Sequence, residues 1–270
     1  MSKQTDLINI PDAITVSGSN VGIGTSSPSA TLHVSGQTRL ESSGEAGPHA
    51  YRDGNSGNDI RFFSTNGTFA SPTAKTPNSS VGQLHYSGHD GTTYRQNASI
   101  VVSVDGTVST GTVPMRMTFH AGTTTNTERM RIDSSGRVTM PYQPGFLAHS
   151  TTGFNSSSTI MKNFVVIQHN TGGHFSNSTG LFTAPVAGKY LVNSGVLVGT
   201  GTGRLEFNVE VNSGSPYLAG NGTGTTYDGP TLSAVFNLSV NDNIRVRLVS
   251  GSPHSNGNHP NTYFGVTLLG

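Results

Sequence analysis

From Gly180 to the last residue the chain alternates apolar and polar side chains with a period of two, and that period limits the folds open to it. Leu205, Phe207, Val209 and Val211 interleave with Arg204, Glu206, Asn208 and Glu210. Leu232, Ala234, Phe236 and Leu238 interleave with Thr231, Ser233, Val235 and Asn237, and Ile244, Val246 and Leu248 with Arg245 and Arg247. Phe264, Val266 and Leu268 follow the same rule. Successive strand side chains point to opposite faces of a sheet, so each set writes one face into a core and the other toward water. Several such strands at short spacing read as an antiparallel sandwich. Gly, Pro, Asn or Ser interrupts every window of helical length, so the whole chain is expected to be all-β.

Composition narrows this further. The chain has 35 glycines, 32% apolar residues and 11% charged residues, where ordinary domains hold about 45–50% and about 25%. Such a sequence is short of material for one large core, and β-structure that buries apolar surface between chains is the economical solution. Charge is balanced along the length: ten basic and ten acidic residues up to position 145, five and four after it. Without a basic stripe, nucleic acid is excluded as a partner. The absence of cysteine excludes disulfides and thiolate metal sites. No stretch approaches the ~18 apolar residues of a spanning helix, so no membrane insertion is expected. The opening Met1-Ser-Lys-Gln-Thr-Asp6 lacks the apolar core of a secretion signal, which predicts synthesis and folding in the cytoplasm.

Residues 1–36 read as short extended pieces, Ile8–Ile10, Ile14–Val16, Val21–Ile23 and Leu32–Val34, separated by Ser/Gly/Asn/Pro turns. Residues 37–145 form a polar middle region with scattered strands at Asp59–Phe63, Val81–Tyr86, Ala98–Val104 and Val113–Phe119. A hairpin over Glu128–Met140, turned at Asp133-Ser-Ser-Gly136, closes it, and Pro141-Tyr-Gln-Pro144 is a stiff connector to the C-terminal strands. The segment Asn20-Val-Gly-Ile-Gly-Thr-Ser-Ser-Pro28 through Gly36 resembles a module of bacteriophage tail-fibre and virion-fibre proteins. So does the Glu128-Arg-Met-Arg-Ile132 hairpin, together with the Gly88-His-Asp-Gly91-Thr-Thr-Tyr94 turn before it. In such modules three strands approach an axis, and Val21, Ile23, Leu32 and Val34 would bury against copies of themselves.

Residues 146–270 resemble the C1q/TNF-like jelly roll. Phe182, Pro185, Gly188 and Tyr190 stand as in that family's Phe-x-x-Pro-x-x-Gly-x-Tyr pattern. Leu238-Ser-Val-Asn-Asp242-Asn-Ile-Arg-Val stands where the family has Leu-x-x-Gly-Asp-x-Val-x-Val, with Asn241 in place of the usual glycine. Tyr263-Phe-Gly-Val-Thr-Leu-Leu269 matches the closing strand. The resemblance implies a homotrimer, so the expected architecture is a homotrimeric all-β fibre. An extended N-terminal shaft over 1–36 would dock to other virion proteins. A small β-rich middle over 37–145 would follow, and a jelly-roll sandwich head over 146–270 would end it.

Loop lengths locate a recognition surface. Connections at 184–188, 212–214 and 239–243 are tight, whereas those at 168–179, 199–203, 219–230 and 249–262 are long, polar and rich in glycine. Alternate connections of an antiparallel sandwich fall at opposite ends, which would gather the long ones at the end away from the shaft. Recognition commonly resides in such loops. The candidate receptor-binding residues are Asn170, His174, Asn177, Thr202, Tyr217, Asn221, Tyr227, Asp228, His254, Asn256 and His259. Amides bond sugar hydroxyls and aromatic faces stack on sugar C–H surfaces, so a host surface glycan, or a protein receptor, is the expected partner.

Chemistry finds no foothold in the sequence. No Gly-x-Ser-x-Gly elbow, Walker loop or dinucleotide fingerprint is present, and the glycine runs at 199–203 and 220–224 open no helix. Glu206 and Glu210 share one outward face beside Arg204, which reads as an ion-pair ladder rather than a glycosidase pair. The histidine pairs His169/His174 and His254/His259 do not make a metal site on spacing alone, and neither metal nor cofactor is expected. The expected function is attachment of a tailed phage to its host as a structural, non-enzymatic virion fibre on tail or capsid surface. A capsid decoration or cement fibre and a bacterial extracellular adhesin are the alternatives.

Overall fold

The computed structural model describes residues 14–38, 60–68, 70–149, 160–164, 166–199, 204–214, 218–222, 229–253 and 261–270. Strands and turns account for the regular structure of these residues, and no helix occurs among them. The expected strand at Ile8–Ile10 lies outside the described residues. The chain divides into two units, residues 1–61 and residues 62–270.

In the first unit β1 (Ile14–Ser17) turns back at Gly18 (φ 60°) and pairs antiparallel with β2 (Asn20–Ile23). After an eight-residue excursion β3 (Leu32–Val34) returns parallel to β2, with Val21 opposite Leu32 and Ile23 opposite Val34. Three strands of three or four residues cannot enclose a core of their own, and Val16 (71%) and Leu32 (63%) stay open to solvent.

The second unit begins with an antiparallel meander of β4 (Ser80–His89), β5 (Tyr94–Val104), β6 (Met115–Ala121), β7 (Thr127–Ile132) and β8 (Val138–Thr139), in that spatial order. Register sorts its side chains into rows. Leu84, Ile100, Phe119 and Met130 lie in one row, and Gly82, Val102, Met117, Ile132 and Val138 in the next row of the same face. The opposite face carries Gln83, Val101, Thr118, Arg131 and Thr139, then His85, Ser99, His120 and Glu128. The β7–β8 turn falls at the expected Asp133-Ser-Ser-Gly136. The Asp133 carboxylate accepts the Ser135 and Arg137 backbone N–H groups, and Gly136 takes φ 79°. The backbone N–H of Arg137 is the foremost cause holding the Asp133 carboxyl below its ordinary value.

One expected strand is not formed. Residues 60–63 run as irregular chain, and Phe62 lays its ring across β4 at Gly82, where an added Cβ would stand 2.9 Å from the ring. The apolar run that read as a strand is an aromatic cover for a sheet position that has no side chain.

The remaining strands form a sandwich. One sheet has the order β10-β9-β18-β13-β16, from β9 (Gly145–His149), β10 (Val166–Thr171), β13 (Gly188–Gly195), β16 (Thr231–Leu238) and β18 (Tyr263–Leu268). The other has the order β11-β12-β17-β14-β15, from β11 (Phe175–Ser176), β12 (Leu181–Thr183), β14 (Leu205–Val211), β15 (Leu218–Gly222) and β17 (Asn243–Ser250). The expected alternation is realised in register: Phe207, Val209, Ile244, Val246 and Leu248 are buried from one sheet, and Tyr190, Val192, Phe264 and Val266 from the other. Between them Phe146 stacks on Phe175 at 3.9 Å and meets Phe264 edge-on at 4.9 Å. The buried Tyr190 spends its hydroxyl on the Val186 carbonyl at 2.8 Å.

This core corrects the inference drawn from composition. The head fills its interior from a single copy, because the scarce large apolar residues are concentrated there: apart from Val104, every fully buried apolar side chain among the described residues lies in the head.

Candidate binding surface of the C-terminal domain

The register fixes which connections share an end of the sandwich. Gly145 opens β9 opposite Thr267 near the end of β18, so the chain enters and leaves the domain side by side. The connector is tied down there: Gln143 Nε2 donates to the Leu268 carbonyl at 3.1 Å, and the Leu268 N–H to the Pro144 carbonyl at 3.0 Å. At the same end lie the tight turns at 184–187 and 239–242 and the start of the 212–217 turn, laced together by hydrogen bonds. Asn241 N–H donates to the Ala184 carbonyl, Asn212 Nδ2 to Asp242, and Asn243 N–H to Asn212 Oδ1. The Asn212 amide, then the Ser239 backbone N–H, hold the Asp242 carboxyl below its ordinary value. Asn241 sits at φ 69°, a conformation that asparagine tolerates better than most residues and glycine best.

The opposite, far end holds the close of β13 at Gly195, the start of β14 at Leu205, the close of β15 at Gly222 and the start of β16 at Thr231. The close of β17 at Ser250 and the start of β18 at Tyr263 join them. Those strand ends flank the stretches that contain Thr202, Tyr227, Asp228, His254, Asn256 and His259, and these six residues lie outside the described ones, as does Tyr217.

The other four candidates, Asn170, His174, Asn177 and Asn221, take positions or duties different from those expected. β10 runs away from the far end, since Val166 pairs with His149 and Thr171 with Gly145. The reversal that follows, at Gly172 (φ 80°) and Gly173 (φ 73°), therefore lies at the entry end, and His174 with it. The 168–179 stretch holds two strands and a sharp turn rather than one long loop, and the extra crossing moves it to the other end. Asn170 is spent on that turn, its Nδ2 donating to the Phe175 carbonyl at 2.9 Å while its Oδ1 accepts the Phe175 N–H at 3.1 Å. His174 is half-buried, edge-on to Phe182 at 6.4 Å. Asn177 brackets Phe164 in the same way, accepting its N–H at 2.7 Å and donating to its carbonyl at 2.9 Å. Asn221 lies in β15, opposite Glu206, and not in a loop.

The two outer faces differ in kind. On the β14–β17 sheet, Glu210 takes Nε of Arg245 and of Arg247, each at 2.7 Å, and Glu206 pairs with Arg204 at 3.3 Å. Burial would raise the Glu210 carboxyl, but the hydrogen bonds from Arg247 and Arg245 outweigh it and hold the group below its ordinary value. This is the ion-pair ladder expected from the alternation, with both guanidinium partners of Glu210 supplied by β17. On the other sheet the outward phase carries Leu147, Leu191 and Val235 among Gly265, Asn193, Ser233 and Thr267, between Lys189 at the entry end and His149 at the far end. Val235 is 54% exposed. The signal for this surface was present in the alternation, as apolar residues standing in the outward phase.

Among the described residues no three His, Asp or Glu side chains converge as metal ligands. An open cleft of about 960 Å³ at the β4–β5 hairpin tip is lined by Tyr86, His89, Asn97 and Thr123. Its one acid, Asp90, is engaged by the backbone N–H of Thr93 and by Arg95 at 2.7 Å, which hold it ionised.

Residues 145–269 match the family model of the C1q domain. Nothing among curated proteins matches the chain. Among solved structures, the globular domain of zebrafish complement 1qA protein is 18% identical, over 47% of this chain and 98% of that one, with a TM-score of 0.38. The Eiger TNF of S. frugiperda is 14% identical over 47% and 93%, at 0.41, and murine APRIL at pH 5.0 is 15% identical over 47% and 99%, at 0.39. Two five-stranded sheets around one core and the family match together make residues 145–269 a C1q-like jelly-roll domain.

Proposed function

We propose that this protein is a trimeric, non-enzymatic fibre of a tailed bacteriophage particle. In this reading it attaches the particle to a glycan on the bacterial surface through the far end of its C-terminal domain. The observation that carries the reading is the polarity of that domain. The chain enters and leaves at one end, beside the tight turns, and its long connections flank the other. In this reading the domain is held at its entry end, and the connections at its far end meet the receptor.

The nearly uncharged outer face around Leu191 and Val235 is where the head would meet its copies, and the charged ladder of Glu206, Glu210, Arg245 and Arg247 would remain toward solvent. Charged residues are depleted in interface cores, and that contrast picks the face. Three heads on one axis raise the avidity of individually weak sugar contacts by two to four orders of magnitude, as ~10²–10⁴ is typical of linked sites. The N-terminal strands, too small to be a domain, suit docking to other virion proteins.

Excess full-length protein is expected to slow adsorption of particles to cells at least tenfold, and antibody labelling is expected to mark the tail. Labelling over the capsid with unchanged adsorption would favour the decoration reading instead.

A further inference from the structure

We infer that the apolar face of the β4–β8 sheet is a second self-association surface, packed in the assembled protein against the same face of other copies of this chain. The inference rests on the trimeric reading above and adds a contact to it.

The sheet is layered the wrong way round for a lone chain. On its polar face Ser99 (3%) and Thr118 (4%) are buried beneath their neighbours. Asn126 donates to Ser99 Oγ at 2.8 Å, His120 bonds Thr118 at 3.0 Å, and Arg131 clasps Glu128 with two bonds of 2.9 and 2.8 Å. On the apolar face Leu84 (44%), Met115 (43%) and Met117 (39%) stay open, and with Phe62, Ile100 and Val102 they line a groove of about 330 Å³. Ile100, Val102, Phe119, Met130 and Ile132 are half-buried; burial is worth roughly 25 cal/mol per Å² of apolar surface, so the side chains that stay open call for a partner.

The chain itself has little to offer as cover. Residues 39–59 hold only Leu40, Ala46, Ala50 and Tyr51 as apolar side chains, beside six charged ones, and residues 150–159 hold only Phe154. Residues 7–10 could supply one short strand, but five strands at ~4.8 Å spacing are too wide for one strand to cover. A second copy fits the chemistry: the two rows Leu84–Ile100–Phe119–Met130 and Val102–Met117–Ile132–Val138 carry no charge to repel their own image. Methionine adapts its shape to such a contact.

Size defines the role. A face of five strands by about six residues covers roughly 20 × 20 Å, about half the ~800 Å² per partner of a standard interface. The sheet therefore adds to a joint made chiefly elsewhere and does not hold copies together alone.

The protein has no cysteine, so single-cysteine variants of the full chain report cleanly. Met117→Cys and Leu84→Cys lie on the apolar face, and Thr139→Cys lies exposed on the polar one. The expected result is a trimer by sedimentation, in which an apolar-face thiol cross-links copies on mild oxidation and reacts with a maleimide at least tenfold more slowly than Thr139→Cys. Leu84→Cys carries the same readout if Met117→Cys does not fold. A trimer whose apolar-face thiols react as fast as Thr139→Cys overturns this inference and leaves the head-driven trimer standing. A monomer by sedimentation overturns the trimeric reading and this contact with it, and protection within a monomer would mean that the chain covers its own sheet.

Discussion

The head and the β4–β8 sheet are written in the same alternation, yet they dispose of their apolar side chains in opposite ways. In the head, two five-stranded sheets close over each other and Phe146, Phe182, Phe207 and Phe264 are fully enclosed. Among the described residues the middle sheet has one layer: its apolar face leaves Leu84, Met115 and Met117 open, and Phe62 is laid across one glycine. A period of two says which residues share a face. It does not say what that face will meet, and the difference between a closed sandwich and an open sheet lies in whether a second sheet of matching pattern follows in the same chain.

The largest effect that sharpens this contrast is expected at Phe264. It is fully buried, edge-on to Phe146 at 4.9 Å and to Phe175 at 6.0 Å. Phe264→Ala is expected to cost about 3–5 kcal/mol of head stability, read from denaturant unfolding and equal at every protein concentration, because the cavity opens inside one copy. The same truncation at Met117 should cost the unassembled chain only about 1 kcal/mol, since 39% of the residue already meets solvent. Comparable losses at the two sites in dilute protein would dissolve the distinction.

Glu210 comes next. Its side chain is 8% exposed and bonds two guanidinium groups, one of them, Arg245, 12% exposed. Removing it takes the carboxylate away from the largely buried Arg245, so Glu210→Ala is expected to destabilise the head by about 3 kcal/mol. Its folded-state carboxyl is held below the ordinary 4.5 by the two arginines against the effect of burial. A lowered folded-state value means that the pairing stabilises in full above pH 4.5 and is lost as the pH falls through the folded-state value. The melting temperature of the head should therefore drop on acidification below pH 4.5, and more steeply than that of Glu210→Gln.

Much of this was legible beforehand, for physical reasons that individual elements make plain. Strands β14, β16, β17 and β18 announce themselves because each gathers its large apolar side chains in one phase of the alternation, and the Asp133–Gly136 turn because its aspartate and glycine are what the geometry requires. β15, Leu218-Ala-Gly-Asn-Gly222, has no alternation and exists by pairing with β14, a tertiary effect that no local pattern records. The candidate site suffered from the same blindness. Reading 168–179 as one loop hid the reversal at Gly172–Gly173, and a single missed crossing sent Asn170 and His174 to the opposite end of the domain. Their polarity, which read as display, serves the backbone: Asn170 and Asn177 each satisfy both groups of a phenylalanine peptide.

The smallest effect tests the turn that the head resolves with asparagine. At φ 69° Asn241 holds a left-handed conformation while its N–H reaches the Ala184 carbonyl at 2.8 Å, joining the 239–242 turn to the 184–187 turn. A β-branched side chain resists that conformation, so Asn241→Val is expected to cost about 1–2 kcal/mol, visible as an earlier unfolding midpoint with an unchanged slope. Asn241→Gly should be neutral or stabilising by a few tenths of a kcal/mol, because glycine adopts the conformation freely but loses more chain entropy on folding. Both changes act at the entry end, remote from the strand ends that flank the long connections, so cell adsorption measured below the unfolding temperature should match that of the parent. A loss of adsorption with stability intact would place the recognition surface at the entry end and reverse the proposed polarity of the domain.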